Sequence, residues 1–298
     1  MEIFITGASG FIGRALCRTL TTEGHHLRCL VRSGSEIRLI SSPLIKPVVG
    51  DLFAPEQLAS LIKGADAVIH LVGIIREFPA KQITFARLHH QATLSIIAAT
   101  NQAGVKRYLH MSANGARKEA QTAYHKTKWL AEEAVRQSKL DWTIFRPSLV
   151  YGAEDQFISL LASLIRKSPL IPVMGDGQYR MQPVPVELLA KGFAVALERE
   201  AATGKTYHCG GKECLSYNQL LDLVGEALGK KPVRKMNQPL FLMRPLVSVL
   251  QHLPHFPMTS VQLQMLIEGN YCDIREWCDD LNLEPWPLST GLNYLTHQ

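Results

Sequence analysis

The stretch "ITGASGFIGRAL", from Ile5 to Leu16, joins the first apolar run of the chain to a segment of helical period. Gly7, Gly10 and Gly13 fall on the turn between the two. Glycines at this spacing allow a tight turn, let the backbone approach a pyrophosphate and let the helix pack closely on the strand. The helix N-terminus adds N–H donors and a positive dipole. The stretch therefore predicts a dinucleotide-binding cradle whose helix begins at about Phe11.

Short apolar runs rich in valine and isoleucine continue outward from this cradle and alternate with segments of helical period. The runs are "EIFIT" (2–6), "HLRCLV" (26–31), "IKPVVGD" (45–51), "AVIHLVG" (67–73), "RYLHMSA" (107–113) and "DWTIFRPS" (141–148). Such alternation is typical of right-handed βαβ units and of a parallel sheet covered on both faces. It predicts an α/β fold in which residues 1–150 form a Rossmann-type, doubly wound parallel sheet that binds NAD(P).

The pattern changes after the sixth run, where helical segments become longer and Gly- and Pro-rich turns separate them. Residues 151–298 are predicted to form a smaller, mainly helical substrate or cap region. Part of it, about 186–211, is expected to return to the main domain, with "TYHCGG" (206–211) rejoining the sheet. Ser216 and Thr259 each precede a run of apolar period, so both are predicted to be helix N-caps.

Composition limits the class of function. The chain has 298 residues, 46% of them apolar and 19% charged, as in an ordinary globular protein. The net charge of +6 comes from scattered Lys and Arg residues, and only "KKPVRK" (230–235) concentrates them, so nucleic-acid binding is not expected. The six cysteines include no CxxC pair. We therefore expect them to be reduced, the protein to be cytoplasmic, and no metal site to be present. The opening "MEIFITG" (1–7) does not have the pattern of a signal peptide.

One apolar stretch, "PLFLMRPLVSVLQHLPHFPM" (239–258), is open to two interpretations. Prolines and Arg244 interrupt it, and no apolar run in the sequence reaches the roughly 18 residues that a membrane-spanning helix needs. The first interpretation is a helix docked on the core. The second is a surface that contacts a membrane or an apolar substrate, helped by the basic run just before it.

The residues after the second and third apolar runs bear on the choice of nucleotide. Arg32 replaces the acidic residue that would bind the ribose 2′-hydroxyl of NAD(H). An arginine there suits a 2′-phosphate, so NADP(H) is favoured over NAD(H), with Arg14 as a second cation. The alternative for Arg32 is a solvated strand end. Asp51 either lies near the adenine or forms a turn after Gly50.

Six motifs carry a family resemblance: "TGASGFIG", "GDL", "VIHLVG", "GVKRYLHMSA", "YHKTK" and "FRPS". In order and approximate spacing they resemble the extended and atypical branches of the short-chain dehydrogenase/reductase superfamily, which are epimerase- and dehydratase-like. The resemblance covers about residues 2–150 and extends weakly to the C-terminus. Within the superfamily the chain looks most like bacterial relatives of the accessory NADPH-binding subunit of respiratory complex I. That group also resembles proteins implicated in ubiquinone metabolism.

The resemblance implies a set of site residues. As catalytic residues it implies Tyr124, Lys128, Ser112 and Asn114. Together with the cradle and Arg32, the expected cofactor-binding residues are Gly7, Ser9, Gly10, Phe11, Ile12, Gly13, Arg32, Asp51, Leu52, Leu71, Val72, Gly73, Lys128 and Pro147.

Tyr124 and Lys128 correspond to the YxxxK pair of the superfamily. Residues at i and i+4 share one face of a helix, so both side chains can reach a single ligand. A tyrosine of ordinary pKa, about 10, needs a nearby cation to act as a general base near neutral pH, and Lys128 together with the oxidised nicotinamide is expected to supply that positive charge. The alternative is an exposed pair on an amphipathic helix.

The sequence departs from the superfamily at two places. Asn114 stands where a hydroxyl usually acts; its amide donates a hydrogen bond but cannot relay a proton as a hydroxyl does. Enzymes of this branch that use nucleotide sugars carry an Arg and an Asp near "YRMQPVPVELLA" (179–190), where Arg180 is out of register and Leu188 replaces the Asp. A nucleotide-sugar substrate is therefore disfavoured.

Two functions remain from different classes. The first is an NADP(H)-dependent oxidoreductase acting on a carbonyl, hydroxyl or quinone-like small molecule. The second is a non-catalytic NADP(H)-binding accessory or assembly protein linked to respiratory complex I or ubiquinone metabolism, placed peripherally at the inner face of the membrane. A regulator that senses the NADP⁺/NADPH ratio is a third alternative.

Overall fold

The computed structural model describes residues 1–253 and 256–297. The chain divides into two compact units. The first unit comprises Met1–Pro147, Val186–His208 and Arg275–Leu283. The second comprises Ser148–Pro185, Cys209–Ile274 and the chain from Glu284 onward. The assignment of residues 151–298 to a substrate or cap role stays a prediction.

The first unit is built around a seven-stranded sheet in the order β11-β6-β5-β4-β1-β2-β3. The strands of the protein are β1 (Glu2–Thr6), β2 (His26–Val31), β3 (Ile45–Val49), β4 (Ala67–His70), β5 (Arg107–Met111), β6 (Asp141–Pro147), β7 (Val150–Tyr151), β8 (Ile171–Met174), β9 (Arg180–Met181), β10 (Val184–Pro185), β11 (Lys205–Cys209), β12 (Leu215–Ser216) and β13 (Lys235–Gln238). Neighbours from β3 to β6 pair in parallel. The strand order reverses between β1 and β4, and open α/β sheets bind ligands at such a switch point. The predicted Rossmann-type fold is confirmed.

Helices connect these strands. They are α1 (Phe11–Thr22), α2 (Pro55–Ile62), α3 (Ala92–Gln102), α4 (Ala123–Arg136), α5 (Phe157–Lys167), α6 (Val186–Glu198), α7 (Tyr217–Ala227), α8 (Leu240–Leu250), α9 (Ser260–Glu268), α10 (Arg275–Leu281) and α11 (Leu288–Gly291). In α1 the buried residues Gly13, Leu16, Cys17 and Leu20 recur at helical spacing, so one face packs inward. A π-helical turn, Ala86–Gln91, leads directly into α3.

Apolar strands explain the core of the first unit. Ile3, Phe4 and Ile5 in β1 and Val68 and Ile69 in β4 are all fully buried. Successive strand residues point to opposite faces, so burial of every residue means that both faces of the sheet are covered. The carboxyl ends of these strands are therefore the accessible edge at which a ligand site can form.

The second unit has its own core. Three short strand pairs, β10 with β7, β12 with β9 and β13 with β8, accompany its helices. This core is a cluster of buried apolar side chains that includes Leu161 of α5 and Leu220 and Leu221 of α7. Ser216 and Thr259 each cap a helix through a complete capping box, which confirms both predicted N-caps.

Helix α8 occupies most of the apolar stretch 239–258, of which Pro254 and His255 lie outside the described residues. Within α8, all of whose residues are described, Val247 alone is fully buried. Phe241 is 75% exposed and Val249 is 71% exposed, so this helix presents an apolar face outward instead of burying it. Among residues 1–253 and 256–297, no helix is long and apolar enough to cross a membrane.

Candidate nucleotide-binding and catalytic site

The glycine turn after β1 is shaped so that backbone alone fits. Gly7 has a φ of +82°, in the left-handed region that favours glycine. A Cβ on Gly7 would lie 3.1 Å from the carbonyl carbon of Leu71, and one on Gly13 would lie 2.2 Å from the carbonyl oxygen of Gly7. The turn therefore packs so closely against α1 and the loop after β4 that side chains are excluded at both positions, as in a dinucleotide-binding turn.

The N-terminus of α1 faces the same turn. Gly10 is its N-cap, and no side chain in the described part of the protein caps it. Arg14 donates from Nη1 to the carbonyl oxygen of Ser9 at 2.6 Å, which braces the turn from the helix side. The predicted residues Ser9, Phe11 and Ile12 are half-buried along this edge. Uncapped N–H groups and the helix dipole suit a bound phosphate, so these residues fit the nucleotide.

Arg32 and Asp51 follow the ends of β2 and β3. Arg32 is exposed, directly after Val31. The Asp51 carboxylate accepts from the backbone N–H of Phe53 at 3.0 Å, so this residue forms a turn before α2. Leu52 is half-buried against the core of the first unit. Arg32 is thus exposed at the carboxyl end of β2, its role toward a nucleotide stays a prediction, and Asp51 has a structural contact of its own.

Leu71, Val72 and Gly73 lie beside the cradle. The backbone N–H of Leu71 donates to the carbonyl oxygen of Thr6 at 3.0 Å, which extends the β1–β4 pairing and sets Leu71 and Val72 against the glycine turn. A Cβ on Gly73 would lie 3.0 Å from Lys128 Nζ. The structure therefore brings these three predicted residues together with both the cradle and Lys128.

Tyr124 lies in the first turn of α4. Its ring packs edge-on against Phe85 and His89, with centroids 5.6 Å and 5.2 Å away. Burial raises the pKa of Tyr124 to about 12, so the phenol is protonated at neutral pH. The lowering of this pKa that is expected from Lys128 together with an oxidised nicotinamide stays a prediction. A role of Tyr124 in proton transfer stays a prediction.

Lys128 lies one turn after Tyr124 and is 3% exposed. Its Nζ donates to the carbonyl oxygen of Met111, at the end of β5, at 2.9 Å. Burial lowers the pKa of Lys128 to about 8, and the nearby carboxylate of Glu132 opposes that shift. With a pKa of about 8 the ammonium is mostly protonated at neutral pH, and the carboxylate of Glu132 favours this charged form.

Ser112 is held by a buried ion cluster. Its hydroxyl donates to Glu132 Oε1 at 2.5 Å. Arg146 donates to both oxygens of the same carboxylate, at 2.7 Å and 2.5 Å, and Arg136 donates to Oε2 at 2.7 Å. The one proton of the Ser112 hydroxyl is therefore engaged by Glu132, and a role for Ser112 toward substrate stays a prediction.

Asn114 follows β5 and is fixed at its backbone and its side chain. Its N–H donates to the carbonyl oxygen of Pro147, which is buried at the end of β6, at 2.8 Å. Its Oδ1 accepts from His208 Nδ1, on β11, at 3.0 Å. The structure thus brings Asn114 and Pro147, both predicted site residues, to the carboxyl ends of β5 and β6.

Sequence reasoning missed His89, which lies in the π-helical turn. His89 Nε2 lies 3.2 Å from the backbone nitrogen and 3.1 Å from the carbonyl oxygen of Ile74, and His89 Nδ1 lies 2.9 Å from Thr127 Oγ1. Burial lowers the pKa of His89 to about 2, so the ring is neutral. His89 ties the loop after β4 to α4 between Tyr124 and Lys128. An α-helical period could not predict this contact, because a π-turn shifts the face by one residue.

Glu132 and His208 were also missed, for different reasons. Glu132 continues the spacing of Tyr124 and Lys128 by another four residues, so a search along that helix face would have found it. His208 lies 94 residues from Asn114 and belongs to no local pattern. Only the position of β11 beside β6 brings it to the site.

Comparison with known proteins agrees with this geometry. The sequence model of the NAD(P)H-binding family matches residues 7–158, half of the chain. The solved structure of MoeE5 in complex with UDP-glucose and NAD has a TM-score of 0.77, with 100% of this chain and 98% of MoeE5 covered. Its sequence identity is 19%, so this likeness shows the fold alone.

Two curated relatives are similar in sequence. The mitochondrial NADH dehydrogenase [ubiquinone] 1 alpha subcomplex subunit 9 of Arabidopsis thaliana is 29% identical over 240 residues, covering 76% of this chain and 58% of the relative. Ceramide reductase of Caulobacter vibrioides is 33% identical over 174 residues, covering 58% of this chain and 54% of the relative. The chain therefore spans little more than half the length of either relative.

Proposed function

The chain belongs to the NAD(P)H-binding family, and from that premise we propose that it is an NADP(H)-dependent oxidoreductase of the short-chain dehydrogenase/reductase type. Its substrate is a small molecule with a carbonyl, hydroxyl or quinone-like group. The observation that carries this proposal is the pair Tyr124 and Lys128 on one face of α4, with Lys128 in contact with the loop beside the cradle. A protein that only stored the nucleotide would not require a protonated phenol at this place.

Each residue of the site has its own role in the proposed reaction. When bound, NADPH supplies a hydride to the substrate carbon. Tyr124 holds the proton that goes to the substrate oxygen, since its pKa of about 12 keeps the phenol protonated. Lys128 binds the nicotinamide ribose and stabilises the tyrosinate that remains. Asn114 orients the substrate oxygen. The Caulobacter relative is named a reductase, which favours the same direction of reaction.

The preference for NADP(H) over NAD(H) rests on Arg32. We predict that Arg32→Asp weakens NADPH binding and spares or improves NADH binding. A charge-assisted hydrogen bond contributes about 1.5–3 kcal/mol, so the expected loss of NADPH affinity is roughly 10- to 150-fold. Calorimetric titration of the wild type and the variant with NADPH and with NADH measures the affinities for both nucleotides.

Lys139→Asp is the matched control for Arg32→Asp. Lys139 is exposed just before β6, at the opposite end of the strands from the cradle, and the substitution changes the net charge equally. We expect it to leave the ratio of the two affinities unchanged. Equal affinity of the wild type for NADPH and NADH would refute the preference.

A second candidate function is that of an accessory or assembly protein in the cytoplasm, peripheral at the inner face of the membrane and bound to a respiratory-complex partner. The Arabidopsis relative, named as a subunit of NADH dehydrogenase, supports this candidate. The observation that favours it is the α8 surface, which consists of Phe241, Leu242, Leu246 and Val249, all exposed. Exposed apolar side chains on one helix mark a contact surface.

Positive charge accompanies the α8 surface in the second unit. A cleft of about 410 Å³ is lined by Arg166, Lys167, Lys230, Lys231 and Arg234, among other residues. The four-residue strand β13 separates this cleft from α8 along the chain. Apolar residues that insert at the interface and cations that attract anionic headgroups are the two contributions to peripheral membrane binding.

We predict that the protein binds anionic liposomes and that raising the salt from low to physiological concentration weakens the binding. Phe241→Ser with Val249→Ser removes the two most exposed apolar side chains of α8 and should lower the bound fraction several-fold. Sedimentation with phosphatidylglycerol-containing and with purely zwitterionic vesicles measures both effects.

Ile37→Ser is the control for the α8 substitutions. Ile37 is 89% exposed but lies in the first unit, so its loss should not change sedimentation. If the wild type stays in the supernatant with anionic vesicles even at low salt, the α8 surface is not a lipid-binding surface. If the variant with Phe241→Ser and Val249→Ser binds anionic vesicles as strongly as the wild type, the lipid contact lies on another surface of the protein.

A further inference from the structure

The cleft of about 410 Å³ in the second unit lies where two turns of the chain meet. The first turn joins α5 to β8, and the second joins α7 to β13. Because β8 and β13 pair in parallel, both turns lie at the same end of this strand pair, and the backbone N–H of Ile171 donates to the carbonyl oxygen of Arg234 at 2.9 Å. The volume of the cleft is within the roughly 300–1,000 Å³ of small-molecule sites.

The lining of this cleft includes five cationic side chains and, among the described residues, no carboxylate. Lys231 is paired with Glu226, from Nζ to Oε2 at 2.8 Å, and both side chains are more than half exposed. Within residues 1–253 and 256–297 the other four cations form no ion pair with a carboxylate. A concave surface lined by charge of one sign concentrates its electric field and attracts ions of the opposite sign. These four cations are Arg166, Lys167, Lys230 and Arg234.

Carbonyl groups hold two of these cations in place without neutralising them. Lys230 Nζ donates to the carbonyl oxygen of Arg166 at 2.8 Å, which ties the second turn to the end of α5. The guanidinium of Arg166 donates in turn to the carbonyl oxygen of Leu295. A carbonyl oxygen carries no net charge, and an ammonium or guanidinium group has several N–H donors. Both side chains therefore keep their full positive charge and further donors for a ligand.

The dipole of α5 accounts for only part of this charge. Arg166 and Lys167 lie in the last turn of α5, where cations interact favourably with the negative end of the helix. Lys230 and Arg234 lie beyond the end of α7 at Ala227, and the effect of a helix dipole falls off within the last turn. Helix capping therefore does not explain the cations of the second turn.

The cleft is separate from the α8 surface. It lies at the N-terminal ends of β8 and β13, whereas α8 begins after the C-terminal end of β13. A strand rises about 3.3 Å per residue, so the four residues of β13 place about 10 Å between the cleft and the start of α8. The cations of the cleft therefore surround a site of their own.

We propose that this cleft binds a phosphate group that carries at least two negative charges, either in a soluble compound or in the headgroup of a lipid. The site goes beyond the proposed oxidoreductase function and does not depend on it. Guanidinium groups bind pairs of phosphate oxygens and ammonium groups act as point charges, and the cleft contains both kinds of cation. A single carboxylate would leave most of this charge without a partner, whereas a multiply charged phosphate neutralises more of it.

Inorganic pyrophosphate is the probe for this chemistry. Calorimetric titration at low salt, with saturating NADPH present to occupy the cradle, should show that the wild type binds pyrophosphate. Lys167→Gln with Arg234→Gln removes two charges of the cleft, and loss of charge-assisted contacts should weaken the binding by roughly tenfold or more. Both side chains are exposed, so the fold should be preserved.

Lys212→Gln with Arg244→Gln is the matched control. The same two residue types are changed at exposed positions of the second unit that do not line the cleft. We expect its affinity for pyrophosphate to equal that of the wild type. A wild type that does not bind pyrophosphate, or equal affinities of the cleft variant and the control variant, would overturn the proposal.

Vesicles that contain phosphatidic acid distinguish the two sources of phosphate, because this headgroup is a phosphate monoester. The assay is made in the variant with Phe241→Ser and Val249→Ser, so that these two apolar side chains do not contribute. If the cleft substitutions lower sedimentation and pyrophosphate competes with the vesicles, the ligand is a headgroup. If the cleft substitutions weaken pyrophosphate binding alone, the ligand is a soluble phosphate.

The outcome for the cleft is independent of the outcome for the oxidoreductase. If NADPH does not bind, or if no carbonyl compound is reduced, the proposed function fails. The difference in pyrophosphate affinity between the cleft variant and the control variant still decides whether the cleft binds phosphate.

Discussion

Replacing Tyr124 with phenylalanine is expected to abolish carbonyl reduction while leaving NADPH affinity within a few fold. The substitution removes one hydroxyl and keeps the ring that packs against Phe85 and His89, so the helix turn should be preserved. General acid catalysis by a positioned group contributes typically 10²- to 10⁴-fold, and the rate should fall by about that factor. Steady-state assays with the carbonyl and quinone panel, together with nucleotide titration, measure the two quantities separately.

Tyr271→Phe is the control for this loss, because Tyr271 is an exposed tyrosine of the second unit and the same atom is removed. Its rate should equal that of the wild type. The contrary result has two parts: the wild type oxidises no bound NADPH with any member of the panel, and Tyr124→Phe behaves like the wild type in every assay. Tyr124 and Lys128 would then be cofactor ligands only. The accessory or assembly function would then be the better proposal.

The cradle and the tyrosine–lysine pair could be predicted because each is a local pattern. Gly7 and Gly13 are six residues apart on one turn, and the contacts that exclude a Cβ there are made with neighbours in sequence and with the adjacent strand. Tyr124 and Lys128 need only a continuous helix to share a face. Local periodicity also predicts the strands well, and β1 and β4 at the centre of the sheet are buried on both faces, whereas β3 at its edge is largely exposed.

The surroundings of the site could not be predicted in the same way. Ser112 meets Glu132 because β5 and α4 pack at one particular register, and Asn114 meets His208 because β11 lies beside β6. Nothing in the composition of either partner marks such a pairing. Burial raises the pKa of Tyr124, and only the packed structure defines that burial, so the sequence alone could not predict it.

Glu132→Gln is expected to destabilise the protein by about 3 kcal/mol or more. The carboxylate is fully buried and neutralises Arg146 and Arg136, whose side chains are 17% and 29% exposed. Loss of one partner from a buried ion pair costs about 3–5 kcal/mol, since it leaves an uncompensated charge, and the partial exposure of both guanidinium groups favours the lower end. Thermal unfolding should show a midpoint lower by roughly 6–12 °C.

Glu133→Gln provides the matched control, since the same isosteric change is made one residue away. Glu133 is 35% exposed and pairs only with Arg136 among the described residues. Loss of its charge should therefore lower the free energy of unfolding by about 0–1 kcal/mol. Equal midpoints for the two variants would mean that the buried cluster contributes no more than a surface pair.

Because the Glu132 carboxylate also raises the pKa of Lys128, its removal should make that ammonium lose its proton at lower pH. The cluster that holds Ser112 and Arg146 thus also supports the charge beside Tyr124, so stability and proton transfer should decline together in Glu132→Gln and not in Glu133→Gln.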